Sequence, residues 1–403
     1  MAFPRTLAIL AAAAALVVAC SHGGTPTGSS TTSGASPATP VAVPVPRSCA
    51  EPAGIPALLS PRDKLAQLLV VGVRDAADAQ AVVTNYHVGG ILIGSDTDLT
   101  IFDGALAEIV AGGGPLPLAV SVDEEGGRVS RLRSLIGGTG PSARELAQTR
   151  TVQQVRDLAR DRGRQMRKLG ITIDFAPVVD VTDAPDDTVI GDRSFGSDPA
   201  TVTAYAGAYA QGLRDAGVLP VLKHFPGHGR GSGDSHNGGA TTPPLDDLVG
   251  DDLVPYRTLV TQAPVGVMVG HLQVPGLTGS EPASLSKAAV NLLRTGTGYG
   301  APPFDGPVFS DDLSGMAAIS DRFGVSEAVL RTLQAGADIA LWVTTKEVPA
   351  VLDRLEQALR AGELPMSAVD RSVVRVATMK GPNPGCGPLA MCGWRPTAYR
   401  RVR

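Results

Sequence analysis

The segment Lys223–His236, KHFPGHGRGSGDSH, holds three of the six histidines in this sequence. Asp234 stands two residues before His236. At that spacing a carboxylate can orient an imidazole and support its protonated form, so the ring gives and takes protons near neutral pH. Gly227, Gly229, Gly231, Gly233 and Gly238 surround the pair. A glycine-rich loop can carry side chains into and out of a site. His224, His228, Asp234 and His236 also have the chemistry of metal ligands. However, His-x3-His binds metal from a helix face, and Pro226-Gly227 forbids a helix here. Neither a metal nor an organic cofactor is expected.

The remaining reactive side chains sit at the ends of apolar, β-rich runs. These runs are Leu68–Val73, Gly90–Ile93, Leu118–Asp123, Ile171–Val178, Leu219–His224, Val265–His271, Pro307–Asp311 and Ala337–Trp342. Helix-like stretches lie between most of them, among them Val152–Leu169, Ala200–Ala216, Leu248–Thr261 and Val348–Ala361. Near-continuous apolar strands suit a parallel sheet covered on both faces, and strand–helix alternation argues for βα units. Eight such units predict a (β/α)8 barrel. Its C-terminal rim would gather Asp123, Lys223, His224, His271 and Asp311. A doubly wound open sheet is the alternative, but it would not bring residues from so many strands together.

The chain of 403 residues is 43% apolar, ample for one such barrel. Its net charge of −4 gives no reason to expect nucleic-acid binding. Residues 1–19 read as an export signal, with Arg5 before the apolar run Leu7–Val18, which is short for a bilayer span. The run ends in Val17-Val18-Ala19-Cys20, similar to a lipoprotein lipobox with Cys20 as the lipidated residue. The alternative is an ordinary signal peptide with an incidental cysteine. Residues 20–48, rich in Ser, Thr, Gly and Pro, form a tether. The barrel is expected over 49–380, with a tail over 381–403. In an exported chain Cys386 could pair with Cys392, or Cys49 with one of them.

Several motifs, taken in order, resemble those of the glycoside hydrolase family 3 β-N-acetylglucosaminidases. KHFPGHG followed by DSH is one. Asp123-Glu124-Glu125-Gly126-Gly127-Arg128-Val129-Ser130-Arg131 is similar to D-x-E-G-G-R-V-x-R. Asp174-Phe175-Ala176-Pro177-Val178-Val179-Asp180 resembles N-F-A-P-V-x-D, and Ile190–Gly196 resembles I-G-x-R-S-F-G. Ser310-Asp311-Asp312-Leu313 resembles the nucleophile segment [ST]-D-x-L. The resemblance runs from about Leu65 to Met379. It implies that Asp311 is the nucleophile and that His236, assisted by Asp234, is the acid/base. It further implies that Asp123, Arg131, Arg193, Lys223 and His224 hold the sugar. Three places depart from the pattern: the Gly89–Gly94 segment, Arg230, and Asn237-Gly238-Gly239. Many members carry a second α/β domain, which is not expected after this barrel.

Bottom-up chemistry agrees with those roles. A retaining displacement through a glycosyl ester needs a carboxylate near the ring and an acid/base group. Asp312 is the rival nucleophile, but in an extended run it faces away from Asp311. Glu124 and Glu125 are expected to support the Gly126-Gly127 turn, with Arg128 pairing with one of them. Asp180 and Asp192 read as candidate loop anchors, Trp342 as packing, and His271 as either a rim residue or a structural hydrogen-bonder. The expected protein is a monomeric, lipid-anchored exo-β-N-acetylglucosaminidase on the outer face of the cell membrane. It would act on GlcNAc-containing cell-wall fragments or muropeptides. A phosphorylase on the same scaffold, a β-glucosidase and a non-catalytic glycan-binding lipoprotein are the alternatives.

Overall fold

The computed structural model describes residues 50–382. The export signal, Cys20, the tether, Cys49, Cys386, Cys392 and the tail from residue 383 lie outside them.

Eight parallel strands close a barrel in simple sequential order. They are β1 Leu69–Val73, β2 Gly90–Ile93, β3 Ala119–Val122, β4 Ile173–Asp174, β5 Leu219–Phe225, β6 Gly266–Val269, β7 Val308–Asp312 and β8 Ile339–Trp342. The ladder closes where β1 pairs with β8, Leu69 opposite Ala340 and Val71 opposite Trp342. Each run is buried on both faces because helices cover the outside and side chains fill the inside. Within the barrel, Phe175 and Phe309 meet edge to face at 5.5 Å, an arrangement favoured by the ring quadrupoles.

β4 is much shorter than the apolar run Ile171–Val178 suggests. Pro177 has no N–H to donate to a ladder. Beyond Asp174 the chain stays beside β5 as irregular extended backbone, with the Val221 N–H donating to the Ala176 carbonyl at 3.0 Å, the Val179 N–H donating to the Lys223 carbonyl at 2.7 Å and a bridge between Val178 and Lys223. The helix expected over Leu248–Thr261 is also divided. Leu245–Gly250 and Val254–Leu259 are separate helices, and Pro255 starts the second within its first turn.

Two neighbouring outer helices follow their local signals closely. Val152–Lys168 (α1) begins with a reciprocal capping box between Thr151 and Gln154. Pro199–Asp215 (α2) is capped by Asp198, with Pro at its first position. They touch at Gly212, where a Cβ would lie 2.3 Å from the Arg156 carbonyl oxygen and 2.7 Å from the Ala159 Cβ. Below the barrel, buried Asp338 gathers Arg294, Arg375 at 3.3 Å, Ser372 Oγ at 2.8 Å and the Val308 N–H at 2.9 Å. This anchors the starts of β7 and β8 to the outer helices.

Candidate active site

The C-terminal ends of β3, β5 and β7 and the loops that follow carry most of the expected site residues. Asp123 follows β3 directly. Beyond it, Glu124–Gly126 pairs antiparallel with Val129–Ser130 in a tight hairpin. Gly126 and Gly127 have φ of 92° and 55°, a region that glycine enters without strain. A Cβ on Gly126 would also lie 2.6 Å from the Pro141 carbonyl oxygen.

The hairpin divides the two glutamates between different tasks. Glu124 is fully buried and accepts from Arg162 Nη2 at 2.5 Å, Ser130 Oγ at 2.5 Å and the Leu132 N–H at 2.8 Å. It is structural, as expected. Glu125 is not merely a turn support. It receives Arg193 Nε and Nη2, both at 2.9 Å, in a two-pronged pair, and Lys223 Nζ at 2.6 Å. Lys223 also binds Asp123. Asp123, Glu125, Lys223 and Arg193 thus form one alternating network of two anions and two cations. Residues 123 and 125 lie two apart in extended chain and so face the same way, a signal sufficient to place Glu125 beside Asp123.

Burial disfavours the charges of Glu125, Lys223 and Arg193, and their partners overcome it. Burial works against ionised Glu125, yet Arg193 and Lys223 hold its carboxyl well below the usual range. Lys223 is buried and its ammonium is still favoured, by Asp123 and Glu125. Arg193 is stabilised as a cation in the same way, principally by Glu125. Arg131 is partly buried and makes no ion pair among the described residues. Arg128 does not pair with either glutamate. It reaches Asp192 at 3.0 Å and the carbonyls of Val189 and Ile190 at 3.2 and 3.0 Å. The hairpin points it toward the loop of residues 188–192, which makes Asp192 a loop anchor.

Lys223 and His224, adjacent in β5, are both buried. The β5–β6 register shifts across them, between Leu222 and Phe225. The Lys223–His224 and Phe225–Pro226 peptide bonds are cis. His224 Nδ1–H donates to Asp180 Oδ2 at 2.7 Å, and Asp180 Oδ1 accepts the backbone N–H of His224 at 3.2 Å and of His228 at 2.7 Å. Asp180 therefore anchors the loop and orients a site imidazole as well. Asp174, at the end of β4, accepts the Glu124 N–H at 3.0 Å. Its burial, with Glu124 and Asp123 adding like charge, raises its pKa well above the carboxylate range.

Asp311 and Asp312 are separated by the turn that follows them. Asp312 is tied down by the Ser314 N–H and hydroxyl, both at 2.8 Å, and by the Gly315 N–H at 3.0 Å. Burial raises its pKa against those bonds. Asp311 accepts only the Asp312 N–H, at 2.9 Å, and has no salt bridge among the described residues. Burial opposes its ionisation. The imidazoles of His271 and His224, the Asp312 N–H and Lys223 outweigh that and hold its pKa at about 2. The result is an ionised carboxylate with free lone pairs, set on a strand end, which is the state a nucleophile requires. His271 is buried. It donates from Nε2 to the Asp312 carbonyl and meets Ser284 Oγ through Nδ1, both at 2.7 Å. It therefore holds the backbone beside Asp311.

The acid/base candidates lie on the loop after β5. His236 is 58% exposed, and its Nδ1 meets Asp234 Oδ1 at 2.8 Å. Asp234 also accepts the His236 N–H at 3.0 Å and Asn237 Nδ2 at 2.7 Å. Partial burial opposes its ionisation, but the backbone N–H and ring of His236 keep its pKa low. Arg230 grips buried Asp252 through Nε at 3.0 Å and Nη2 at 2.5 Å, securing the start of this loop. His224 is committed to Asp180 and His236 to Asp234, and no group of three or more His, Cys, Asp or Glu able to hold a metal comes together among the described residues. Trp342 is fully buried in the core.

Comparisons with known proteins point one way. Residues 60–379 match the model described as the glycosyl hydrolase family 3 N-terminal domain. "Beta-hexosaminidase A" of Pseudoalteromonas piscicida is 33% identical over 296 residues, which is 66% of this chain and 47% of that protein. The chain thus spans about half the length of that relative. A solved glycosyl hydrolase of family 3 from Mycobacterium smegmatis is 72% identical with a TM-score of 0.80, covering 81% of this chain and 99% of its own. A family 3 β-N-acetylglucosaminidase from Paenibacillus sp. is 30% identical with a TM-score of 0.73, over 83% of this chain and 68% of its own.

Proposed function

Because the chain belongs to glycosyl hydrolase family 3, we propose that it is a retaining exo-β-N-acetylglucosaminidase with Asp311 as nucleophile and His236 as acid/base. The observation that carries this reading is the contrast between the two adjacent aspartates. Asp312 is consumed by its turn, and Asp311 is ionised and free. The names of the Pseudoalteromonas and Paenibacillus proteins support the choice of sugar.

In the first step an Asp311 oxygen attacks the anomeric carbon. The glycosidic C–O bond breaks, and the leaving oxygen takes a proton from His236. With Nδ1 held by Asp234, Nε2 is the atom that transfers it. In the second step His236 removes a proton from water, the water oxygen bonds to the anomeric carbon, and the Asp311 ester opens. The Asp123–Lys223–Glu125–Arg193 network, with Arg131 and His224, presents directional charged hydrogen bonds to sugar hydroxyls and the N-acetyl group. The substrates would be β-linked GlcNAc termini of cell-wall fragments, met by a monomer anchored through Cys20 at the outer face of the cell membrane. The lipobox-like sequence supports that location.

The test is trapping with a fluorinated GlcNAc donor followed by peptide mass spectrometry. The label is expected on Asp311, and Asp311→Ala is expected to abolish nearly all turnover. A label on Asp312, or inverted product by NMR, would overturn the reading. Assays on aryl β-GlcNAc against aryl β-glucoside, with and without phosphate, check the sugar and the acceptor. Formation of a sugar-1-phosphate would identify a phosphorylase instead.

A further inference from the structure

The loop bearing Asp234 and His236 has one buried side chain at its tip. Ser235 is 1% exposed, whereas His236 beside it faces solvent. Its hydroxyl lies 3.2 Å from Nε2 of buried His228. His228 is itself fixed by its backbone N–H to Asp180 Oδ1 at 2.7 Å. The opposite carboxylate oxygen of Asp180 holds the His224 ring at 2.7 Å, and the two imidazoles meet edge to face at 5.8 Å. The loop backbone is gripped from the other side. The Ala318 N–H donates to the Ser235 carbonyl at 3.1 Å, and the Ala317 N–H donates to the His236 carbonyl at 3.3 Å. Those two amides lie in the segment that follows the Asp311–Gly315 turn.

We propose that Ser235 and His228 form a latch that sets the acid/base loop over the nucleophile, with Asp180 joining the latch to the sugar-binding His224. Ser235 and His228 are positioning residues, acting through His236. The inference rests on the reading of His236 as acid/base. A glycine-rich loop has many conformations of similar energy, so one side-chain bond at its tip, together with two backbone bonds, decides how often His236 stands within reach of the leaving oxygen. The latch has one face on the nucleophile segment and one on Asp180. A sugar that engages His224 therefore stabilises the same carboxylate that holds His228 in place. Burial and then the neighbouring His224 lower the His228 pKa, which favours the neutral ring, whose unprotonated nitrogen can accept the Ser235 hydroxyl proton at the 3.2 Å contact.

The experiment compares Ser235→Ala with His236→Ala on two aryl β-GlcNAc substrates, one with a dinitrophenyl leaving group that needs no protonation and one with a methylumbelliferyl group that does. Loss of one hydrogen bond at the latch is expected to lower kcat/KM for the methylumbelliferyl substrate about three- to tenfold. The value for the dinitrophenyl substrate should stay within about twofold. Ser235→Thr, which retains a hydroxyl, should recover most of the loss. His228→Asn should reproduce the same split between substrates at an unchanged melting temperature. If His236→Ala shows the split and Ser235→Ala lowers both substrates equally, or neither, the latch is refuted. If His236→Ala itself shows no split, the acid/base assignment fails instead.

Discussion

Removing the charge of Glu125 tests the network that positions Lys223 and Arg193, the cations proposed to bind the sugar. In Glu125→Gln the amide oxygen can replace Oε1 and keep the contacts of Arg193 Nη2 and Lys223 Nζ. The amide NH2 must then face Arg193 Nε, a donor that now sits 2.9 Å from it. The network passes from neutral to a net positive charge in a site where the Glu125 and Lys223 side chains are 5% and 3% exposed. Breaking one partner of a buried pair costs about 3–5 kcal/mol. Lys223→Met is expected to cost a similar amount, because it removes the cation shared by Asp123 and Glu125 and leaves Arg193, bound to Glu125, as the remaining cation of the network. The double variant removes one anion and one cation together, so it should be less destabilised than the two single effects combined, by about 1–3 kcal/mol. Urea unfolding followed by circular dichroism gives each value. Kinetically, a displacement of Lys223 by about 1 Å should lower kcat/KM by about a hundredfold. Additive stability effects, or a Glu125→Gln enzyme with unchanged kcat/KM, would refute the argument that this carboxylate organises the site.

Three further outcomes follow from other parts of the molecule. Gly212→Ala forces a methyl group to within 2.3 Å of the Arg156 carbonyl oxygen, so α1 and α2 must separate. Thermal unfolding should show a loss of about 1–3 kcal/mol. His271 is buried and its pKa is lowered by that burial, so the folded state binds its proton less tightly than the unfolded chain. Its contribution to stability is complete above the unfolded value of about 6.5 and is lost as pH falls below it toward the folded value. In urea midpoints measured between pH 5 and 8, His271→Gln should reduce the pH slope by up to about one proton, and an unchanged slope would contradict the assignment. Asp312→Asn should retain measurable glycosidase activity with a turn weakened by about 1 kcal/mol, whereas Asp311→Asn should be inactive in the same assay.

Much of this architecture was legible in the residue order. The eight apolar runs correspond to the eight barrel strands, because a parallel strand buried on both faces must be apolar along its whole length. The helix-like stretches Val152–Leu169 and Val348–Ala361 correspond to the helices Val152–Lys168 and Val348–Ala361. Where the reading failed, a local rule met a tertiary constraint. Within Ile171–Val178 the regular strand is only Ile173–Asp174, with Pro177 unable to donate to the ladder, and Pro255 began a second helix within Leu248–Thr261. Arg128 turned to Asp192 because the hairpin carries it away from both glutamates.

The sequence by itself determined the barrel and the order of the candidate site residues around the rim, since these depend on periodicity and residue type. Only the tertiary structure decided which charges meet. Glu125 and Lys223 are almost a hundred residues apart in the chain, and no spacing rule predicts that they lie 2.6 Å apart. The same applies to Asp180 beneath His224, and to Ser235 buried beneath the exposed Asp234–His236 pair. Asp311 and Asp312 are chemically identical in sequence. They differ in the folded protein because the Ser314–Gly315 turn supplies its donors to one of them and leaves the other ionised and free to react.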